Sequence, residues 1–217
     1  MSDKPIENNY KKNPDLNVPF NYNGETCHVE LKPFTVLVLN DEQKIKFTTR
    51  VKSYCDCFAF LNGVLYFGTR VGELFGYHIR TDKRVCCMFI DNQAQDYLEE
   101  TYRKNPMLQL VREKRLTGYY PDLPEINAMN AVVEKNAITR LAVYQNYILA
   151  ADLSGRISMI DTISHKRIKS FKVEGAVSLL KVNGNKLYVE YVVDNYIPDP
   201  EYMEQIKEAF ATSFDLQ

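Results

Sequence analysis

Between residues 138 and 173 the apolar and polar positions fall into four short runs. Ile138 to Tyr144, Tyr147 to Ala151, Arg156 to Asp161 and Arg167 to Val173 are each rich in β-branched or aromatic residues. Gln145-Asn146 and Asp152-Leu153-Ser154-Gly155 punctuate them. Short runs of this composition between turn residues predict strands, here one four-stranded antiparallel meander.

The pattern repeats. A shift of 83 residues lays Asp56–Ile90 on Thr139–Val173 without a gap. Phe58 and Phe60 fall on Leu141 and Val143, Leu65 and Tyr66 on Ile148 and Leu149, and Gly72 on Gly155. A shift of 39 lays Leu180–Glu190 on Leu141–Ala151, with Gly184-Asn185 on the Gln145-Asn146 turn. A period near 40 residues with four strands per unit is that of a β-propeller blade. Such a sheet is apolar on both faces and must stack on neighbours, which removes strict alternation from its strands. Cys57-Phe58-Ala59-Phe60-Leu61 and Val64-Leu65-Tyr66-Phe67 have that character.

On these residues the chain resembles the WD-repeat family. Asp152-Leu153-Ser154-Gly155-Arg156-Ile157-Ser158-Met159-Ile160-Asp161 looks like the turn and third strand of a WD blade, with Ile160 at the Trp place and Asp161 at the acidic one. The other copy has Tyr77-His78 there, the chain has no Trp, and the family's Gly-His pair is missing. The resemblance covers 56–90 and 138–192 and implies an all-β, partial propeller of about three blades.

The remaining chain is read around those blades. Residues 1–20, with Pro5, Pro14 and Pro19, read as a disordered tail. Thr26 to Leu31, Phe34 to Leu39 and Lys44 to Val51 read as strands of a partial preceding blade within a β domain spanning 21–193. Ile45, Phe47, Thr49 and Val51 alternate with polar residues, which predicts one wet face. Residues 91–136 interrupt the repeat, with a helix expected over Gln93 to Lys104 from the pairs Glu99/Arg103 and Glu100/Lys104. Beyond 194, Asp199-Pro200 is a helix start, and Met203, Ile206, Phe210 and Phe214 fall at helical spacing. A C-terminal helix is therefore expected over 194–217.

Charge and chemistry narrow the function. The net charge of −1 gives no electrostatic case for nucleic acid or an anionic membrane. No apolar run reaches the roughly 18 residues of a membrane span, and the start has no apolar signal core, so the chain reads as intracellular, cytoplasmic or nuclear. Cys27, Cys55, Cys57, Cys86 and Cys87 are odd in number, and Cys-x-Cys is not the usual zinc spacing, so buried reduced thiols are expected, with no metal and no cofactor. His28, His78 and His165 are scattered, no nucleophile or phosphate motif is present, and Asp152 and Asp161 are turn residues, so no catalytic residue is assigned.

About three blades cannot close a ring, and two apolar end faces of roughly 500 Å² would each forgo about 12 kcal/mol. This predicts a non-enzymatic scaffold whose open faces are covered by a protein partner or by homo-oligomerisation. The expected contact residues are Arg112, Lys114, Arg115, Tyr119 and Tyr120 in the insertion, and Met203, Ile206, Phe210 and Phe214 in the helix. A single-stranded nucleic-acid module using 112–120, or a ligand-binding or enzymatic propeller, is the alternative.

Overall fold

The structure is a computed structural model that describes residues 19–32, 34–51, 54–91, 100, 103–104, 135–196 and 205–216, with backbone only for 194–196 and 205–208. The strands are β1 (Phe20–Tyr22), β2 (Glu25–Lys32), β3 (Thr35–Asn40), β4 (Ile45–Arg50), β5 (Cys55–Leu61), β6 (Val64–Thr69), β7 (Glu73–His78) and β8 (Lys83–Phe89). They continue with β9 (Ile138–Tyr144), β10 (Tyr147–Asp152), β11 (Arg156–Asp161), β12 (Arg167–Lys172), β13 (Ala176–Asn183), β14 (Lys186–Tyr196) and β15 (Gln205–Asp215). They form four antiparallel meanders: β1–β4, β5–β8, β9–β12 and the three-stranded β13–β15.

The described residues thus form four blades rather than about three. The first is complete because Asn23-Gly24, with φ of 53° and 81°, makes a tight hairpin between β1 and β2. Its β1 begins at Phe20, inside the segment read as tail. The last blade gains β15, which corrects the C-terminal helix. Ile206, Phe210 and Phe214 are four apart, and four is a multiple of the strand period as well as nearly a helical turn. Pairing with β14 over Lys186↔Asp215 to Tyr196↔Gln205 decides for the strand.

The backbone repeats more faithfully than the side chains. Asn62 and Gln145 have φ of 52° and 51°, and Gly72 and Gly155 have 81° and 85°. Gln43, Asp82 and His165, all in the turns to the outer strands, have 62°, 53° and 54°. Bulges recur as well. Asp56, Thr139 and Ser178 are each skipped in the register of a first strand. Lys46, Val85 and Ile168 are each skipped in a fourth strand. A bulge turns the next residue to the other face. This explains why Ile45, expected beside Phe47 in the core, is 61% exposed while Phe47 is 4%. It also separates Cys55 from Cys57: Cys55 packs between the first two sheets and Cys57 between the second and third.

Three buried clusters lie between successive sheets. Val36, Val38 and Phe47 meet Phe58, Leu65 and Phe67 between the first pair. Tyr66, Leu74 and Cys86 meet Ile138, Ile148 and Ile160 between the second. Leu149, Ile157 and Met159 meet Val177, Leu187 and Val189 between the third. The first strands run side by side: the Cys57 thiol donates to the Ile138 carbonyl at 3.5 Å, and Arg140 Nε to the Ser178 carbonyl at 2.8 Å. Among the described residues the outward faces of the first and last sheets are uncovered, and both mix apolar with polar positions. Thr26, Glu30, Lys32, Ile45, Thr48 and Arg50 are exposed on the first, with Leu37 partly covered; Lys181, Tyr188, Glu190, Ala211 and Ser213 are exposed on the last, with Leu179 and Val192 partly covered.

Candidate interaction surface

The insertion leaves and re-enters on one face of the stack. β8 ends at Phe89 opposite Glu73, and β9 begins at Ile138 opposite Asp152. Both ends therefore lie beside the β6–β7 and β10–β11 turns. Hydrogen bonds pin the roots there: Ile90 N donates to the Gly72 carbonyl at 3.1 Å, Ser154 N to Lys135 at 2.9 Å and Leu153 N to Ala137 at 3.0 Å. A Cβ on Gly72 would come within 2.9 Å of the Asn136 carbonyl oxygen. The side chain of Arg156 pairs with Asp91, and Arg167 Nη1 donates to the Ile90 carbonyl at 3.0 Å, so the third sheet grips the chain as it leaves the second.

Asp152 organises the β10–β11 turn. It is fully buried, and its Oδ1 accepts from Ser154 Oγ at 2.6 Å and from Arg156 N at 3.0 Å. Burial pushes its carboxyl above the usual range, against the pull of those two donors. In the equivalent turn Thr69 Oγ1 accepts from Glu73 N at 3.0 Å. Asp161 sits at the other end of β11, where its Oδ1 accepts from the amides of Ile163 and Ser164, both at 2.7 Å. Those amides, Ser164 first, hold its carboxyl below the usual range. The two carboxylates cap turns at opposite ends of one strand, which is structural work.

Beside the β6–β7 turn lies a cluster that the sequence reading missed. Phe34 is 47% exposed and held at φ 59°. Its ring centroid is 4.9 Å from that of Tyr54, itself 43% exposed. Arg70 lies 5.2 Å from the Tyr54 centroid and bonds Asp56 through Nε at 2.6 Å and Nη2 at 3.0 Å. A bulky residue in the left-handed region is a backbone outlier of the kind that gathers at functional places. The signal was positional: Tyr54 lies in the crossover from β4 to β5, on the same face as the insertion.

Of the expected contact residues, Arg112, Lys114, Arg115, Tyr119, Tyr120 and Met203 lie outside the described residues. Ile206 lies on β15. Phe210 is 42% exposed and stacks on Tyr191 at 5.5 Å, and Phe214 meets Phe171 at 5.0 Å. Within the expected helix over Gln93 to Lys104, Glu100, Arg103 and Lys104 are described, in helical backbone, with Glu100 and Lys104 paired at 2.6 Å; the rest lies outside. Cys27, Cys55, Cys57 and Cys86 are buried, and Cys87 is exposed. Burial pushes the thiols of Cys55 and Cys86 up to about 12 and 11. A shallow depression of about 380 Å³ lies on the last sheet, with Leu179, Tyr188 and Ala211 in its lining. Among the described residues no helix is long and apolar enough to cross a membrane.

No family model matches the chain, and no curated protein matches it. Solved structures do. The Neurospora crassa Pan2 WD40 domain is similar at TM-score 0.56 and 10% identity, over 93% of this chain and 48% of that one. Saccharomyces cerevisiae Sqt1 is similar at 0.53 and 11%, over 88% and 46%. The computationally designed Ika4 protein is similar at 0.51 and 12%, over 89% and 91%. The fold is that of a partial WD-like β-propeller, and the chain spans about half the length of the Pan2 and Sqt1 structures.

Proposed function

We propose that the chain is a non-enzymatic protein–protein interaction scaffold, a half-propeller subunit of an intracellular complex. The observation that carries this reading is the Phe34–Tyr54–Arg70 cluster, two exposed rings and a guanidinium beside the roots of the insertion. Tyr and Arg are the residue types over-represented where a partner's surface is gripped. The cluster sits on a rigid stack, where loops and crossovers carry recognition. Arg112, Lys114, Arg115, Tyr119 and Tyr120 belong to the insertion that springs from the same face, and we assign them to the same contact. The WD40 neighbours make a scaffold role the natural one for the fold, by analogy alone.

The test is capture of cellular proteins on the full chain, compared with Tyr54→Ala/Arg70→Ala and with Thr48→Ala on the first sheet's outward face. The scaffold reading expects companions lost by at least tenfold in the double variant and retained by Thr48→Ala. Identical companions on all three chains would refute the cluster, and a chain that retains none would refute the scaffold.

A further inference from the structure

Among the described residues three sheets have four strands and the last has three. Its outermost strand, β15, runs over Gln205–Asp215, longer than any outer strand of the other sheets. Among the described residues nothing pairs with its far edge. An uncovered edge of this length is a template for another strand. β15 contains no Pro, and no bulge interrupts its register with β14. Of the devices that blunt natural edges, β15 carries only charge, at Lys207, Glu208 and Asp215.

The register says what fits. Lys186 and Asp215, both exposed, are opposite in the register, and Asp194 and Lys207 are opposite eight residues along it, at positions of the same strand parity. A two-fold axis perpendicular to the sheet would set β15 antiparallel to β15 of a second copy. It would keep both outward faces on one side, so outward positions must meet outward positions. When that axis passes through Ala211, Lys207 of each copy falls opposite Asp215 of the other. Two rows then cross the joined sheet with alternating sign: Lys186, Asp215, then Lys207 and Asp194 of the second copy. Moving the axis to Ala209 or Ser213 loses both oppositions. Ala209, Ala211 and Ser213 are small and exposed, so the outward side of the seam is open to close approach.

We propose that two copies of this chain associate through β15, in the register centred on Ala211, to make one six-stranded sheet. The partner is a second copy because the strand's own charges supply the complement. This names one partner for the scaffold proposed above and rests on that reading only for its setting: a monomeric chain would remove the pairing and leave a scaffold for other proteins intact.

The experiment is light scattering and sedimentation of the full chain, of Asp215→Lys, of Lys207→Asp, and of an equimolar mixture of the two variants. Each variant alone sets like charges across the seam twice, whereas the mixture restores both oppositions. The wild type is expected as a dimer at about 100 µM, with a dissociation constant that rises with salt. Each variant is expected to weaken association at least tenfold while keeping its β circular dichroism, and the mixture to recover the dimer. As a check independent of charge, Ala211→Cys in a Cys87→Ser background places two thiols on the axis and should oxidise to a cross-linked dimer. A monomeric wild type, or a dimer unaffected by either variant, overturns the pairing; a mixture that does not recover overturns the register.

Discussion

In the first sheet the outward face carries Thr26, Glu30, Lys32, Thr48 and Arg50, exposed, together with an exposed Ile45 and a partly covered Leu37, and four strands are described. In the last sheet the outward face carries Leu179, Tyr188, Val192, Ala209 and Ala211 with Lys181 and Glu190, and three strands are found among the described residues. Both sheets bury their inward face on a neighbour in the same way. Both end faces are therefore mixed, and the ends differ in their edges: the last sheet lacks a fourth strand among the described residues and leaves β15 as its outer edge. The difference teaches that the two ends of the stack are set apart by strand number and not by the polarity of their outward faces.

The largest expected effect separates the two faces of the last sheet. Leu187 is fully buried against the third sheet, so Leu187→Ala should cost about 2–5 kcal/mol in denaturant unfolding. Leu179, on the outward face, is only partly covered, and Leu179→Ala should cost about 1 kcal/mol or less. Equal costs would mean that the outward face is covered too.

Next comes the turn at Asp152. Asp152→Ala strips the acceptor from Ser154 Oγ and Arg156 N, with an expected loss of about 1–3 kcal/mol. Asp152→Asn keeps an acceptor and should cost far less. Because burial raises the Asp152 carboxyl from its unfolded value of 3.8, the folded chain holds that proton more tightly. Its contribution therefore makes the chain more stable below that window and less stable as pH rises through it. Asp161 has the opposite sign, its contribution being present above 3.8 and lost as pH falls through the lowered folded value. Urea unfolding of Asp152→Asn and wild type should diverge in favour of the variant from pH 3 to pH 7.

A smaller effect strips polar cover from the first end. Glu30→Leu/Arg50→Leu should change unfolding free energy by roughly 0.5 kcal/mol or less yet lower solubility, read as light scattering against concentration. The smallest is chemical: of five cysteines, Cys87 is the exposed one. Native thiol titration should show one fast group, with the other four reacting only on unfolding. Two fast groups would place a second thiol outside the stack.

The repeat itself was legible. Turn residues and apolar positions coincide at shifts of 83 and 39, and the strands of the two central blades fall where those shifts put them. Three things were not. Residues 206, 210 and 214 satisfy both strand and helix periods, and only β14 alongside decides between them. The bulges at Asp56 and Lys46 leave no mark in composition, yet they send Cys55 and Cys57 to different cores and put Ile45 in solvent. The Phe34–Tyr54–Arg70 cluster joins a strand link, a crossover and a turn distant in sequence, so no local pattern announces it.

The central claim is that the C-terminal segment is the third strand of a fourth sheet. Backbone chemical shifts and cross-strand proton contacts over 205–215 test it most directly. Extended shifts, with contacts joining Val189 to Thr212 and Tyr191 to Phe210, are the expected result. Helical shifts with contacts from Ile206 to Phe210 and none to β14 would contradict it.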